Sequence, residues 1–135
     1  MTRKTRTCDA TDARARLKIA EAFFASSEAS DGLDEGDDPY RRNALVTSYV
    51  HSGIASSDAI CCNELGEHAQ GQDHHEATAL LMKVRNGREL ARALGTLLSL
   101  KTEAGYGTRP MSADKVKRAQ RAAEKLIVSA RDRVL

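Results

Sequence analysis

The chain has 135 residues, of which 41% are apolar and only 4% aromatic, and it contains no tryptophan. This length suits one domain with a modest core, and a core made of Ala, Leu, Val and Ile favours helices. The 21 basic and 19 acidic residues leave a formal charge of +2, which is too balanced to indicate a nucleic-acid-binding protein by itself. No run of 18 apolar residues is present, so the sequence predicts neither a membrane span nor an export signal.

Residues 1–10 are predicted to be a basic, flexible tail. Its positive side chains are Arg3, Lys4 and Arg6, and no acidic residue precedes Asp9. Two interpretations remain open for this tail: a solvated terminus, or an arm that contacts phosphate. The rest of the chain, residues 11–135, is predicted to be a single helical domain.

The first helix of that domain is predicted to begin at about Thr11. Apolar residues recur there at helical spacing: Ala13, Leu17, Ala20 and Phe24. The segment Ser26–Asp38 then ends the helix, because its glycines and acids offer little apolar surface to offset the entropy of ordering. The ligand pattern of a calcium-binding EF-hand is missing from it, so no metal site is expected there.

The longest uninterrupted helix is predicted over Asp38–Leu65. Asp38 is a suitable N-cap, Pro39 suits the first turn, and Gly66 suits a left-handed end. One face of this helix carries only small side chains: Ser48, Ser52, Ala55, Ser56, Ala59 and Cys62. Small side chains allow close helix packing, so we expect this helix at the centre of a bundle, with the small face forming a homodimer interface.

Three further helices follow. Asp73 with Glu76, and Asn86 with Glu89, have the spacing of N-terminal capping boxes, and the short connection makes these two helices neighbours. Ser112 is predicted to cap the last helix, whose outer face is strongly basic. That face is either solvated or in contact with phosphate.

Cysteine and histidine residues are the most reactive side chains in the sequence. Cys8, Cys61 and Cys62 lack the spacing of a disulfide framework, so they are predicted to be reduced thiols in a cytoplasmic protein. His68, His74 and His75 cluster in sequence without a zinc motif. We expect His75 to point inward and bond the preceding loop; contact with RNA or another ligand, and metal binding, are the alternatives.

Two segments carry a resemblance to a known family. Leu100–Tyr106 reads LKTEAGY and precedes a loop and a long final helix, MSADKVKRAQRAAEKLIVSARDRV; Gly71–Leu81 reads GQDHHEATALL. In order and spacing these segments resemble the HEPN superfamily, over about Ala13 to Val134. The resemblance implies an all-α, antiparallel bundle of four to five helices that forms a homodimer.

Active HEPN members cleave RNA without metal, using an Arg followed four to six residues later by His. Here Lys101 stands in the place of that Arg, and Gly105 and Tyr106 stand where His is expected. Tyrosine, with an ordinary pKa near 10, is a poor base at neutral pH. Similar members with tyrosine at this place are regarded as non-nucleolytic, so the resemblance implies a protein that does not cleave RNA.

The predicted function is therefore a non-catalytic, homodimeric module that binds RNA, a nucleotide or a protein partner, as an effector or a toxin–antitoxin component. The expected binding residues are Lys101, Tyr106, Arg109 and His75, and no cofactor, metal or membrane contact is expected. One alternative is a degenerate metal-independent ribonuclease in which His75 or His51 replaces the missing His. Another is a purely structural dimer, and for Tyr106 the alternative to binding is a core aromatic residue.

Overall fold

The structure, a computed structural model, describes residues 5–31, 38–70 and 74–134. It is an all-α helical bundle. Its elements are β1 (Thr5–Thr7), α1 (Ala10–Asp31), α2 (Arg41–Leu65), β2 (Glu67–Ala69), α3 (His74–Leu81), α4 (Gly87–Tyr106) and α5 (Ala113–Arg133). The predicted Asp73 cap and most of the predicted acidic loop lie outside the described residues. No helix within the described ranges is long and apolar enough to cross a membrane.

Helix α2 lies at the centre of the bundle, as the sequence predicts, and packs on all four other helices. Its small face is buried within the chain: Ser52, Ala55, Ser56 and Ala59 are all at most 1% exposed. The Ser52 hydroxyl donates to the Ala20 carbonyl oxygen of α1 at 2.9 Å. The prediction that this face forms a dimer interface is therefore wrong, because α1 and α5 of the same chain already cover it.

Two predicted helix ends are confirmed, but the start of α2 is not. Its N-cap is Tyr40, which makes no side-chain cap bond, and the helix begins at Arg41. The Asp38 carboxylate accepts from the Tyr40 backbone N–H at 3.0 Å, so Asp38, the cap that the sequence predicts, lies two residues before the observed cap. Gly66 ends α2 with a left-handed φ of 72°, and the Ser112 hydroxyl accepts from the Lys115 N–H at 3.1 Å. These caps satisfy backbone groups that the helices leave unpaired.

Two other predicted ends are wrong. Helix α1 continues past Ser26 to Asp31, where the Tyr49 hydroxyl of α2 lies within hydrogen-bond distance of the carboxylates of Glu28 and Asp31, at 3.1 and 3.2 Å. Asn86 makes no side-chain cap bond; it adopts a left-handed φ of 56°, which the short side chain of Asn tolerates.

The amino-terminal segment also differs from prediction. Thr5–Thr7 form strand β1, antiparallel to β2, and the Cys8 N–H donates to the Gly66 carbonyl oxygen at 2.9 Å. Cys8 and Cys62 form a disulfide with a Cα–Cα distance of 5.4 Å. The predictions of a flexible tail over residues 5–8 and of three reduced thiols are wrong on this structure; Cys61 is the buried free thiol.

Candidate functional site

Lys101 points from α4 towards the start of α3. Its ammonium nitrogen lies 3.2 Å from Nε2 of His74. A protonated lysine has only donors, so in this contact the His74 ring accepts a hydrogen bond. The contact places a cation and an imidazole side by side, although the two residues are 27 positions apart in sequence.

These two side chains line a partly open cavity of about 160 Å³ between α2, α3, α4 and β2. Its apolar wall consists of Ile54, Ala69, Ala77, Leu94 and Leu98. Its polar wall consists of His74, Lys101 and three residues of α2, namely His51, Ser57 and Asp58. A concave site with a few convergent polar groups on an apolar wall is the usual form of a small-ligand site.

The Asp58 carboxylate is already paired on the side away from the cavity. It accepts from the Arg16 guanidinium of α1 at 2.9 Å. Burial raises the pKa of the Asp58 carboxyl, while the charges of Arg16 and His68 act in the opposite direction. The ion pair brings a second cation to the rear of the cavity wall.

The His51 imidazole forms the outer edge of the cavity. Its ring stacks on Phe23 of α1 with a centroid distance of 5.2 Å. Partial burial lowers the pKa of His51, and the charges of Lys101 and Arg16 lower it further. Since the ordinary pKa of histidine is about 6.5, His51 is neutral at pH 7.

The structure separates the predicted binding residues. Tyr106, at the end of α4, is 82% exposed, so it is not a core aromatic residue. Arg109 lies in the following loop, where its carbonyl oxygen accepts from the Asn43 side chain at 3.1 Å. Neither residue lines the cavity that contains Lys101.

The prediction that His75 points inward is wrong, because His75 is exposed and its neighbour His74 faces the cavity. Adjacent helical residues point in directions about 100° apart. The spacing of His74, Ala77 and Leu81 is i, i+3, i+7, which is one face of a helix. This pattern was sufficient to choose His74 over His75.

Sequence reasoning also missed Asp58 as a site residue. His51 and Asp58 are seven positions apart on α2 and therefore share a face, with Ile54 between them. That spacing was a usable signal. The contribution of Arg16 was not predictable, because it depends on how α1 packs on α2.

A second group of reactive side chains lies at the carboxyl-terminal end of α2. Cys8, Cys62 and His68 each offer a ligand atom, and these three atoms lie within 4.8 Å of one another. Two sulfurs and an imidazole nitrogen are a donor set suited to zinc. This is the one set of potential metal ligands found among the described residues.

The outer surface of α4 and α5 carries a basic groove of about 320 Å³. Its cationic lining consists of Arg92, Arg118, Arg121 and Lys125. Lys125 lies 3.7 Å from the Glu89 carboxylate. The predicted basic face of the last helix thus forms one wall of this groove.

No family model matches the chain, and no curated protein matches it. The similarity to the HEPN superfamily therefore stays a prediction that rests on the motifs described above.

Proposed function

We propose that the chain is a non-catalytic binding module that holds the phosphate group of a nucleotide or of an RNA end in the α2–α3–α4 cavity. The observation that carries this proposal is the position of the Lys101 ammonium, beside His74 in a partly enclosed cavity. A lysine in such a place binds phosphate as a point charge. An environment poorer in water strengthens that attraction.

The charges around the cavity favour an anion. Lys101 lines it, and Arg16 lies behind its wall. Among the described residues that line the cavity, Asp58 is the one carboxylate, and Arg16 partly offsets its charge. The imidazoles of His51 and His74, which also line the cavity, add no negative charge.

The volume limits what part of a ligand fits inside. A cavity of about 160 Å³ has room for several water molecules. A phosphate group and part of a sugar or base ring occupy a similar space, and the apolar wall suits the ring. The remainder of a nucleotide or RNA strand would extend across the surface.

Calorimetric titration tests this proposal with three probes: inorganic phosphate, a nucleoside monophosphate and a short RNA with a 5′-phosphate. Lys101→Ala should weaken binding about 10- to 100-fold, because a hydrogen bond to a charged group contributes about 1.5–3 kcal/mol. Lys83→Ala is the matched control, since Lys83 is exposed and does not line the cavity. If no probe binds at about 1 mM, or if both variants bind alike, the proposal is wrong and a purely structural role becomes the better account.

A second candidate function, metal-independent RNA cleavage, is favoured by one observation. The lowered pKa leaves His51 unprotonated at neutral pH, in the same cavity as the Lys101 cation. A neutral imidazole can accept the 2′-hydroxyl proton, and a nearby cation can stabilise charge on the phosphate. Cleavage of labelled RNA in the presence of EDTA, lost in both His51→Gln and Lys101→Ala, would favour this function over binding alone.

Homodimerisation completes the proposal, as does a role as an effector or toxin–antitoxin component. A cytoplasmic location is also proposed, and in that reducing compartment the Cys8–Cys62 disulfide would be reduced. Since the small face of α2 is internal, a dimer would use another surface. Tyr40 and Tyr106 offer large exposed rings near the end of the bundle where α2 begins and α4 ends. Light scattering at tens of micromolar would detect the dimer, and a monomer in wild-type protein and in Tyr106→Ser alike would argue against it.

A further inference from the structure

We propose that Cys8, Cys62 and His68 form a zinc site when the Cys8–Cys62 disulfide is reduced. The three residues come from separate places: the residue after β1, the last turn of α2, and the middle of β2. Zinc would then connect the same segments that the disulfide connects in the oxidised chain. This inference is independent of the ligand proposed for the Lys101 cavity.

The donor atoms lie close enough together to bind one tetrahedral ion once the bond between the two sulfurs is reduced. With bond lengths of about 2.3 Å to sulfur and about 2.0 Å to nitrogen, two ligands of a tetrahedral zinc lie about 3.5–3.8 Å apart. The three donor atoms lie within 4.8 Å of one another. After reduction the two sulfurs, which are bonded to each other in the oxidised chain, have to move apart to this spacing, and the fourth position is left for water.

The backbone holds these three side chains in place. The β1–β2 pairing sets Arg6 opposite His68, and the Cys8 N–H donates to the Gly66 carbonyl oxygen. The left-handed Gly66 ends α2 four residues after Cys62 and turns the chain into β2. These hydrogen bonds do not involve the sulfur atoms, so reduction does not remove them directly.

The orientation of the His68 ring gives a second, independent indication. Its Nδ1 lies 2.8 Å from the Ala69 carbonyl oxygen, and only a protonated Nδ1 can donate to that oxygen. The neutral ring then carries its lone pair on Nε2. Histidines that bind metals generally donate their other ring N–H to a carbonyl or a carboxylate in this way.

The donor chemistry favours zinc over harder ions such as magnesium or calcium, which prefer oxygen ligands. Two thiolates and one neutral imidazole give a site with no net charge once Zn²⁺ is bound. Cys61, although adjacent to Cys62, is not part of the donor cluster. It lies buried against the main hydrophobic core, where the pKa of its thiol is raised to about 12.

The redox step balances with a dithiol reductant. The dithiol supplies two electrons and two protons to the Cys8–Cys62 disulfide and becomes a disulfide itself. Zn²⁺ then displaces the two thiol protons as it binds the sulfurs. Zinc binding should therefore weaken as the pH falls.

The test uses the full-length chain, reduced with a dithiol, freed of metal by chelation and passed into buffer without reductant under anaerobic conditions. Titration with Zn²⁺ should give one equivalent bound, and Co²⁺ should give the thiolate-to-metal charge-transfer absorption of a sulfur-ligated ion. The oxidised chain should show neither signal. The matched control, Cys61→Ser, should bind zinc like wild type.

Two variants make the test decisive. Cys62→Ser should abolish the charge-transfer band or greatly reduce it. His68→Gln, which keeps both sulfurs and changes a partly exposed side chain, should weaken zinc binding at least about tenfold, because even the loss of a hydrogen-bond partner of a metal ligand costs about 10- to 100-fold. Failure of the reduced chain to bind zinc would overturn the proposal, and so would unchanged binding in His68→Gln; binding of Cu⁺ but not Zn²⁺ would overturn the choice of metal.

Discussion

At the scale of single residues, His51 shows how position alone changes the chemistry of a side chain. Its ring lies between Phe23 and the cavity, close to the charges of Lys101 and Arg16. Each of these surroundings makes the protonated ring less favourable. The folded chain therefore keeps His51 neutral at a pH where the unfolded chain begins to protonate it.

This difference predicts a pH-dependent stability. The pKa of His51 is lowered in the folded state. Its contribution to the free energy of unfolding is therefore fully present above about pH 6.5, the pKa of histidine in the unfolded chain. The contribution is lost as the pH falls below that value, because the unfolded state then binds more protons. Urea unfolding at pH 7.5 and pH 5.5 should show that the free energy of unfolding falls less between these two pH values in His51→Gln than in wild type.

The control for this measurement is His75→Gln. His75 is exposed, so its replacement should leave the difference between the two pH values as in wild type. Because His51 itself keeps an exposed side, we expect the effect to be modest. If the free energy of unfolding falls by the same amount in His51→Gln and in wild type, the lowered pKa of His51 in the folded chain is contradicted.

At the scale of elements, the helices were predictable because apolar spacing and caps are local properties of the sequence. The end of α1 was not, since Glu28 and Asp31 in its last turns contact Tyr49, a residue of α2. The strands have three residues each, too few for a period of two to stand out. In the candidate site, Lys101 was predicted from the Leu100–Tyr106 segment. The other polar residues of the cavity, among them His51 and His74, come close to it only because the helices pack together.

Two glycines of α4 provide a matched pair for testing packing at a helix junction. A Cβ on Gly87 would overlap the Leu81 carbonyl oxygen, whereas a Cβ on Gly95 would meet nothing within 4 Å. Gly95→Ala should stabilise the chain by up to about 1 kcal/mol, because alanine is the better helix former. Gly87→Ala should destabilise it by about 1–3 kcal/mol, because α3 and α4 must move apart; chemical denaturation of both variants measures the difference.

The small face of α2 gives a second prediction at this scale. Ala55 packs against Ala20 and Ile127 within one chain, so Ala55→Arg should lower the free energy of unfolding by about 3 kcal/mol or more. Ala22→Arg, at an exposed position of α1, is the control and should be nearly neutral. If wild type is a dimer and Ala55→Arg is a stable, folded monomer, this face belongs instead to an interface between two chains.

At the scale of the whole molecule, the Cys8–Cys62 link joins the amino-terminal strand to the far end of the central helix. Nothing in the spacing of the cysteines indicates this pairing, since 54 positions separate the two residues and the third cysteine lies beside one of them. Their approach follows from the complete fold, in which α2 runs its full length and Gly66 turns the chain back along β1. The link therefore constrains a large part of the unfolded chain.

That constraint predicts that the chain loses thermal stability when the disulfide is reduced. Chain entropy assigns about 4 kcal/mol to closing a loop of this length, so reduction in the presence of a chelator should lower the thermal midpoint by roughly 10–15 °C for a chain of this size. Cys8→Ser should behave like the reduced wild type, and reduction should then have no further effect on it. Cys61→Ser should respond to reduction like wild type, because that thiol is not in the link. If reduced and oxidised wild type melt at the same temperature, the β1–β2 pairing and the Cys8–Gly66 hydrogen bond hold the amino-terminal segment without help, and the link contributes nothing to stability.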